Sequence, residues 1–185
     1  MSHRLVSLVV IILAGIQPAG TAENMESGRA ICKVEDVRIG GYLGEKMNMC
    51  FSNNVKATDG SYLAEIFKHR EGKNDWSTEF WGKWMHSCVP VYRYTKDEAL
   101  RKNIDESVKL LLSTQREDGY IGNYKDDCHL QSWDIWGRKY TMLGLMHYFD
   151  LTSDRNALSA ACRVADHLMT EVGPGAQGRI QTIGM

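Results

Sequence analysis

The residues best suited to chemistry are Glu79, Asp118, Asp126, Asp127 and Asp134, which fall in or beside Gly- and Trp-rich stretches that also carry Trp81, Tyr120 and Trp133. Carboxylate oxygens accept hydrogen bonds from hydroxyls, and Trp and Tyr faces pack against C–H groups. Together they suit a neutral polyol, so carbohydrate is the implied substrate class. Of these, Glu79, Trp81, Asp118, Tyr120, Trp133 and Asp134 are the candidate sugar-contacting or loop-ordering residues, and no catalytic residue is assigned. A plainer reading stands beside this one. Glu79 and Asp134 occupy the first turns of helices, where the dipole favours an acid, and the Trp side chains fill the core.

Other reactive side chains are less informative. His69, His86, His129, His147 and His167 show no metal-ligand spacing and match no nucleophile signature. Cys32, Cys50, Cys88, Cys128 and Cys162 are odd in number and lie 18, 38, 40 and 34 residues apart, without the close pair of a zinc site. The spacing therefore implies no metal. Cys88 and Cys162 fall on apolar helix faces and read as buried free thiols, although an exported chain can still oxidise a pair.

The elements that must hold these residues are helical and repeated. Leu100, Ile104, Val108, Leu111 and Leu112 follow a 3.6-residue period, as do Leu158, Ala161, Ala165 and Leu168. No sustained two-residue alternation competes. Glu79-Phe80-Trp81-Gly82-Lys83-Trp84 is echoed by Asp134-Ile135-Trp136-Gly137-Arg138-Lys139-Tyr140, and each string opens a helix. Thr95-Lys96-Asp97 matches Thr152-Ser153-Asp154, with Thr58-Asp59 as a shorter copy, and Thr95 with Glu98 has capping-box spacing. Gly119-Tyr120-Ile121-Gly122 pairs with Gly41-Tyr42-Leu43-Gly44, and Gln115 through Gly122 with Gln177 through Gly184.

Residues 133–149 are apolar on nearly every side, which predicts an inner helix. Pro90 is expected to kink its helix or shift the helix start. Gly173-Pro174-Gly175 reads as a helix stop. The expectation is of three helical hairpins over about 43–69, 81–113 and 133–170, joined by Gly-rich loops at one end and Thr-x-Asp turns at the other. Each hairpin covers only its neighbours, so the array must continue, be capped or close on itself. The chain stops at Ile183-Gly184-Met185, where the loop echo calls for another inner helix, and a truncated product is the expectation.

The chain opens with His3 and Arg4, runs through twelve mostly apolar residues from Leu5 to Ile16, and reaches Gly20-Thr21-Ala22 with small residues at the −3 and −1 positions. That pattern reads as a cleaved secretory signal over residues 1–22, too short an apolar run for a membrane span, and it predicts a periplasmic or secreted product. The remaining 23–185 form one domain. The 185 residues are 43% hydrophobic and 24% charged with three Pro, enough for a globular core. Lys plus Arg total 22 against 23 Asp plus Glu, a formal charge of −1. That balance gives no electrostatic case for nucleic acid or an anionic membrane.

The motifs in order resemble a known family. Glu79 with Trp81-Gly82-Lys83-Trp84, Gln115 through Gly122, Trp133-Asp134-Ile135-Trp136-Gly137-Arg138-Lys139-Tyr140 leading into Gly144-Leu145, and Ala165-Asp166-His167-Leu168 are similar to the beta-L-arabinofuranosidase-like glycoside hydrolases, family 127 and its relatives, over roughly residues 37–185. The resemblance implies an all-α fold, an (α/α)6 toroid followed by β-sandwich modules, of which this chain holds an incomplete part. It also implies hydrolysis of L-arabinofuranosides or related plant polysaccharide side chains. In the full-length family the nucleophile is a cysteine thiolate at a zinc site of cysteines and a glutamate, with a separate glutamate as acid/base. This chain's scattered cysteines do not match that set, so none is carried over, no cofactor is expected in this chain, and the fragment alone is expected to be inactive. The competing readings are a non-catalytic helical-repeat module binding glycans or a protein, and another toroidal enzyme such as an unsaturated glucuronyl hydrolase or a polysaccharide lyase.

Overall fold

A computed structural model of the chain describes residues 32–180. The leader expected over residues 1–22 lies outside them, as do the last residues of the Gln177–Gly184 echo. Six α-helices run in order: α1 (Gly41–Cys50), α2 (Gly60–Glu65), α3 (Glu79–Thr95), α4 (Glu98–Ser113), α5 (Asp134–Thr152) and α6 (Arg155–Val172). A wider π turn at Phe51–Val55 extends α1, and a 3₁₀ turn at Ile66–Lys68 extends α2. No strand forms among the described residues. An isolated bridge between Gly72 and Tyr124 joins the two long loops.

The Thr-x-Asp repeats become turns of one geometry. Thr95 and Thr152 each donate their hydroxyl to the carbonyl four residues back, Val91 and Tyr148, both at 2.8 Å. The same oxygens accept the amides of Asp97 and Asp154 at 3.3 and 3.0 Å. Between them Lys96 and Ser153 adopt left-handed backbone, φ 52° and 59°, which ends the inner helix and reverses the chain. Asp97 and Asp154 then cap the outer helices, accepting the amides of Leu100 and Asn156 at 2.9 Å. The cap of α4 is thus Asp97 and not the Thr95 of the expected capping box, because Thr95 still belongs to α3. Asp59 caps α2 in the same way, through the amides of Ser61 and Tyr62.

Helices α3 and α5 pack along one another as the inner pair, α2 lies against α4, and α5 against α6. The α3–α4 and α5–α6 hairpins take the predicted places, α1 and α2 follow one another across the span expected for the first, and the chain is an all-α array of the kind that builds an (α/α) toroid. Glycine sets the inner spacing. A Cβ on Gly82 would stand 2.1 Å from the Tyr140 carbonyl oxygen, and one on Gly144 would stand 2.5 Å from the Trp81 ring. A Cβ on Gly137, the counterpart of Gly82 in the echo, would meet Thr78 Oγ1 at 2.2 Å. In both copies of the Trp-Gly step the glycine admits the neighbouring element, and in α3 Trp81 fills the core beside it.

The core contains Trp81, Trp84, Met85, Leu100, Ile104, Val108, Leu111 and Leu145. In α6 the buried stripe is Ala157, Ala160, Ala161 and Val164. Cys162, one residue past Ala161 and about 100° round the helix, is exposed, which corrects its reading as a buried thiol. Cys88 is fully buried, and burial pushes its thiol pKa up. All five cysteines are free. Pro90 does not break α3: it sits on the exposed side while Val89 and Val91 are buried, and tertiary packing carries the helix through. On α5, Leu143 and Met146 are exposed beside the buried Gly144 and Leu145.

Replacing Gly82 by Ala is expected to cost about 2 kcal/mol of stability, because the added methyl meets backbone and the inner helices must part. Gly40→Ser, at the open cap of α1 with no atom near the added Cβ, should stay within about 0.5 kcal/mol of the parent. Urea unfolding of the three proteins checks both values.

Candidate functional site

The loop from Thr114 to Trp133 links α4 to α5 and folds back between α5 and α6. Gly119 makes the turn at φ 100°, in left-handed backbone, and a Cβ there would strike the Arg163 carbonyl at 2.5 Å. Its amide donates to Arg116 O at 3.0 Å, and Asp118 Oδ1 accepts the Tyr120 amide at 3.0 Å. This turn sends Tyr120 inward. Its ring is fully buried, stacks on His129 with centroids 4.3 Å apart, and has the Arg138 guanidinium 4.6 Å from its centre. Its hydroxyl donates to Asp134 Oδ1 at 3.0 Å and accepts the Tyr124 amide at 3.1 Å. Burial and the Asp134 charge push the Tyr120 pKa up.

Asp134 opens α5 and is 2% exposed. Its Oδ2 accepts the Leu130 amide at 2.9 Å and Arg138 Nη2 at 2.6 Å, while Oδ1 accepts Arg138 Nε at 3.1 Å. The four-residue spacing on a helix makes this pairing possible. Arg138, with no exposed side-chain surface, reaches on to α6 and donates through Nη1 to Glu171 Oε2. Glu171 Oε1 pairs with His129 Nδ1 at 2.7 Å. Burial disfavours the charged Glu171, but hydrogen bonds from His129 and Arg138 and the arginine charge outweigh it and hold the pKa down to about 2. His167, one turn before Glu171, has Nδ1 3.5 Å from Glu171 Oε2, and burial lowers its pKa.

A second, more open cluster lies at the start of α3. Glu79 is 6% exposed, pairs with Lys83 Nζ at 2.8 Å and accepts the Trp136 indole N–H. Trp136 meets Trp133 and Tyr140 edge to face, at 6.5 and 5.3 Å. Lys139 Nζ stands 3.5 Å from the centre of the Trp136 ring. Trp76 and Phe80, 5.4 Å apart, are both exposed. Glu79, Lys83, Trp133, Trp136, Lys139 and Tyr140 thus form a half-open wall of aromatic faces with one largely buried carboxylate and two ammonium groups. An apolar groove of about 640 Å³ lined by Cys32, Ile39, Phe51, Pro90 and Tyr94 lies beside the C-terminal half of α3 and holds none of this chemistry.

The six expected residues divide between these settings. Glu79 and Trp133 belong to the open wall, and Asp118 is exposed, pairing with Arg116 at 2.9 Å. Trp81, Tyr120 and Asp134 are buried and fall on the ordering side of the expectation. Trp81 is enclosed in the core with its indole N–H 3.4 Å from Ser107 Oγ, Tyr120 is enclosed by His129 and Arg138, and Asp134 spends its lone pairs on Arg138, Tyr120 and Leu130. Each orders the fold and offers no free surface to a sugar. Arg138, Glu171, His129 and His167 escape the sequence reading as site residues. The four-residue spacings Asp134–Arg138 and His167–Glu171 were the available signal. His129 lies 38 residues before His167, and only the fold joins them.

Among the described residues, the group of three side chains able to hold a metal is His129, His167 and Glu171, whose ligand atoms lie within 4.8 Å of one another. It contains no cysteine. The cysteine–glutamate zinc set implied by the resemblance is therefore not assembled by these residues, and no step is derived through it.

The family model described as beta-L-arabinofuranosidase, GH127 catalytic domain, matches residues 36–183. Among solved structures the chain is similar to a GH127 beta-L-arabinofuranosidase from Geobacillus stearothermophilus T6, at 19% sequence identity and a TM-score of 0.54, over 75% of this chain and 24% of that one. At this identity the likeness concerns the fold. The chain spans about a quarter of that relative's length. No curated protein matches.

The depressed pKa of Glu171 makes a signed prediction. A carboxyl whose folded pKa lies below its unfolded value of 4.5 stabilises the fold above pH 4.5, and that stabilisation is lost as pH falls from about 4.5 to about 2. The melting temperature of the parent should fall more steeply across this window than that of Glu171→Gln. Parallel curves from thermal melts at half-unit pH steps would show that Glu171 is not held by its partners.

Proposed function

The chain belongs to the beta-L-arabinofuranosidase GH127 catalytic-domain family, and from that premise we propose that residues 32–180 supply the sugar-facing wall of an exported glycoside hydrolase acting on L-arabinofuranosides or related plant polysaccharide side chains. The observation that carries the reading is the open wall at the start of α3 and α5. Trp133 and Trp136 offer faces to sugar C–H groups, and Glu79 offers a carboxylate held in place by Lys83 and Trp136. Tyr140 closes the wall against Trp136. Its side chains bind and orient, and the bond-breaking groups belong to the rest of the family's catalytic domain, so this stretch alone does not turn over. The exported state follows from the leader pattern over residues 1–22.

A second reading keeps the same wall and changes the sugar. Lys139 over Trp136 and Lys83 over Tyr140 place two ammonium groups at the wall, which would suit a uronate carboxylate.

The test pairs binding with turnover. Titration of the 185-residue chain with a β-L-arabinofuranosyl oligosaccharide should change its Trp fluorescence, with affinity about ten-fold weaker in Trp133→Ala, roughly the loss of one stacking contact. An aryl β-L-arabinofuranoside should be released no faster than by a Glu79→Gln, Asp134→Asn control. Turnover above that control would contradict the binding-only role, and a response to a uronate oligosaccharide alone would move the assignment to an acidic sugar.

A further inference from the structure

We propose that His129, His167 and Glu171 form a binding site for one divalent transition-metal cation, set between the Thr114–Trp133 loop and the last turns of α6. The donors are two imidazoles and one carboxylate, the borderline nitrogen and oxygen ligands that zinc, cobalt and nickel prefer. Two of them come from one helix face at a four-residue spacing, and the third from a loop that Gly119 and the buried Tyr120 hold in place. All three side chains are largely enclosed, with 9%, 10% and 18% of the side-chain surface exposed. Their ligand atoms already lie within 4.8 Å of one another, so small side-chain shifts would bring them to coordination distances.

The surroundings of the imidazoles point the same way. Each turns Nδ1 toward Glu171, at 2.7 Å for His129 and 3.5 Å for His167. Each turns Nε2 toward an aspartate, Asp126 at 3.9 Å and Asp118 at 3.7 Å. An acid near the outer ring nitrogen is the setting of a carboxylate–histidine–metal site, although at these distances neither aspartate is hydrogen-bonded to its imidazole, and His167 Nδ1 also has Arg138 Nη1 at 3.4 Å. Arg116 pairs with both outer aspartates, and Arg138 holds Glu171 mainly through Oε2, with Nη2 donating a longer bond of 3.4 Å to the Oε1 that faces His129.

Without a cation the arrangement is incomplete. A His129 proton on Nδ1, given to Glu171, leaves Nε2 a bare acceptor that is buried and has no hydrogen-bond partner. With the proton on Nε2 that atom points toward Asp126 Oδ1 at 3.9 Å, and the unprotonated Nδ1 faces Glu171 Oε1, a pair of acceptors that a cation would bridge. The acids Asp118, Asp126, Asp134 and Glu171 gather around the three donors, with Arg116 and Arg138 paired among them.

Titration of the full chain with Co²⁺ tests the site, with absorbance as the readout. Visible d–d bands saturating at one equivalent, without the near-ultraviolet thiolate charge-transfer band, are the expected result, and competition with Zn²⁺ should abolish them. Affinity should fall at least ten-fold in His167→Gln and in His129→Gln, with far-UV circular dichroism unchanged, and by about ten-fold in Asp118→Asn combined with Asp126→Asn. A parent chain that gives no saturable band overturns the proposal whatever the variants do. So does binding that carries the thiolate band or is unaffected by both histidine substitutions.

Discussion

The ion pair between Asp134 and Arg138 is the constraint from which the rest of this end of the molecule follows. A guanidinium with no exposed surface is tolerable only if its donors are matched, and here three donor nitrogens face two carboxylates at the start of α5 and the end of α6. The pair fixes the first turn of α5 against the last turns of α6. Through Tyr120 and the Leu130 amide it also fixes the loop that returns from α4. Removing one partner would leave the other charge buried, at a cost of about 3 to 5 kcal/mol. The loop that carries His129, Asp118 and Asp126 is therefore ordered by electrostatics at its base, and its outer side chains inherit their positions from it.

A different constraint, glycine-mediated contact, orders the open wall. Because Gly82 and Gly144 let the α3 and α5 backbones approach, Trp136 on α5 comes within reach of Glu79 at the start of α3. The acid and the indole then hold each other, with Lys83 on the second carboxylate oxygen. The wall thus depends on an inner-helix spacing set a full turn or more away. The two ends of the Trp-Gly echo perform complementary tasks: in α3 its Trp81 and Trp84 are buried in the core, while in α5 its Trp136 faces the wall.

The hairpins are legible in the sequence because their signals are local. Thr95, Asp97, Thr152 and Asp154 each act within four residues of themselves, so spacing alone locates the turns. The α4 stripe of Leu100, Ile104, Val108 and Leu111 is buried as its period requires. What a local pattern cannot show is which of two faces a side chain takes when both are apolar. Trp81 and Trp133 look alike as sequence, yet one falls inside the α3–α4 packing and the other on the rim. Asp134 reads as a free acid because Arg138, four residues on, looks in sequence like one more base of the repeated motif, and only the fold makes it the counter-ion. The convergence of His129 on His167 and Glu171 depends on a loop reversal around a left-handed Gly119, and it leaves no trace in residue spacing.

The most direct test of the central constraint is a double-mutant cycle between Asp134→Asn and Arg138→Gln, read by urea unfolding at neutral pH and moderate salt. The two substitutions are expected to be strongly non-additive, with a coupling of at least about 1.5 kcal/mol, since Arg138→Gln alone strands the buried Asp134 charge and the double variant does not, while the loss of the Glu171 contact is common to both. Additivity within about 0.5 kcal/mol would mean that the two side chains do not depend on each other, and the loop at this end of α5 would need another anchor.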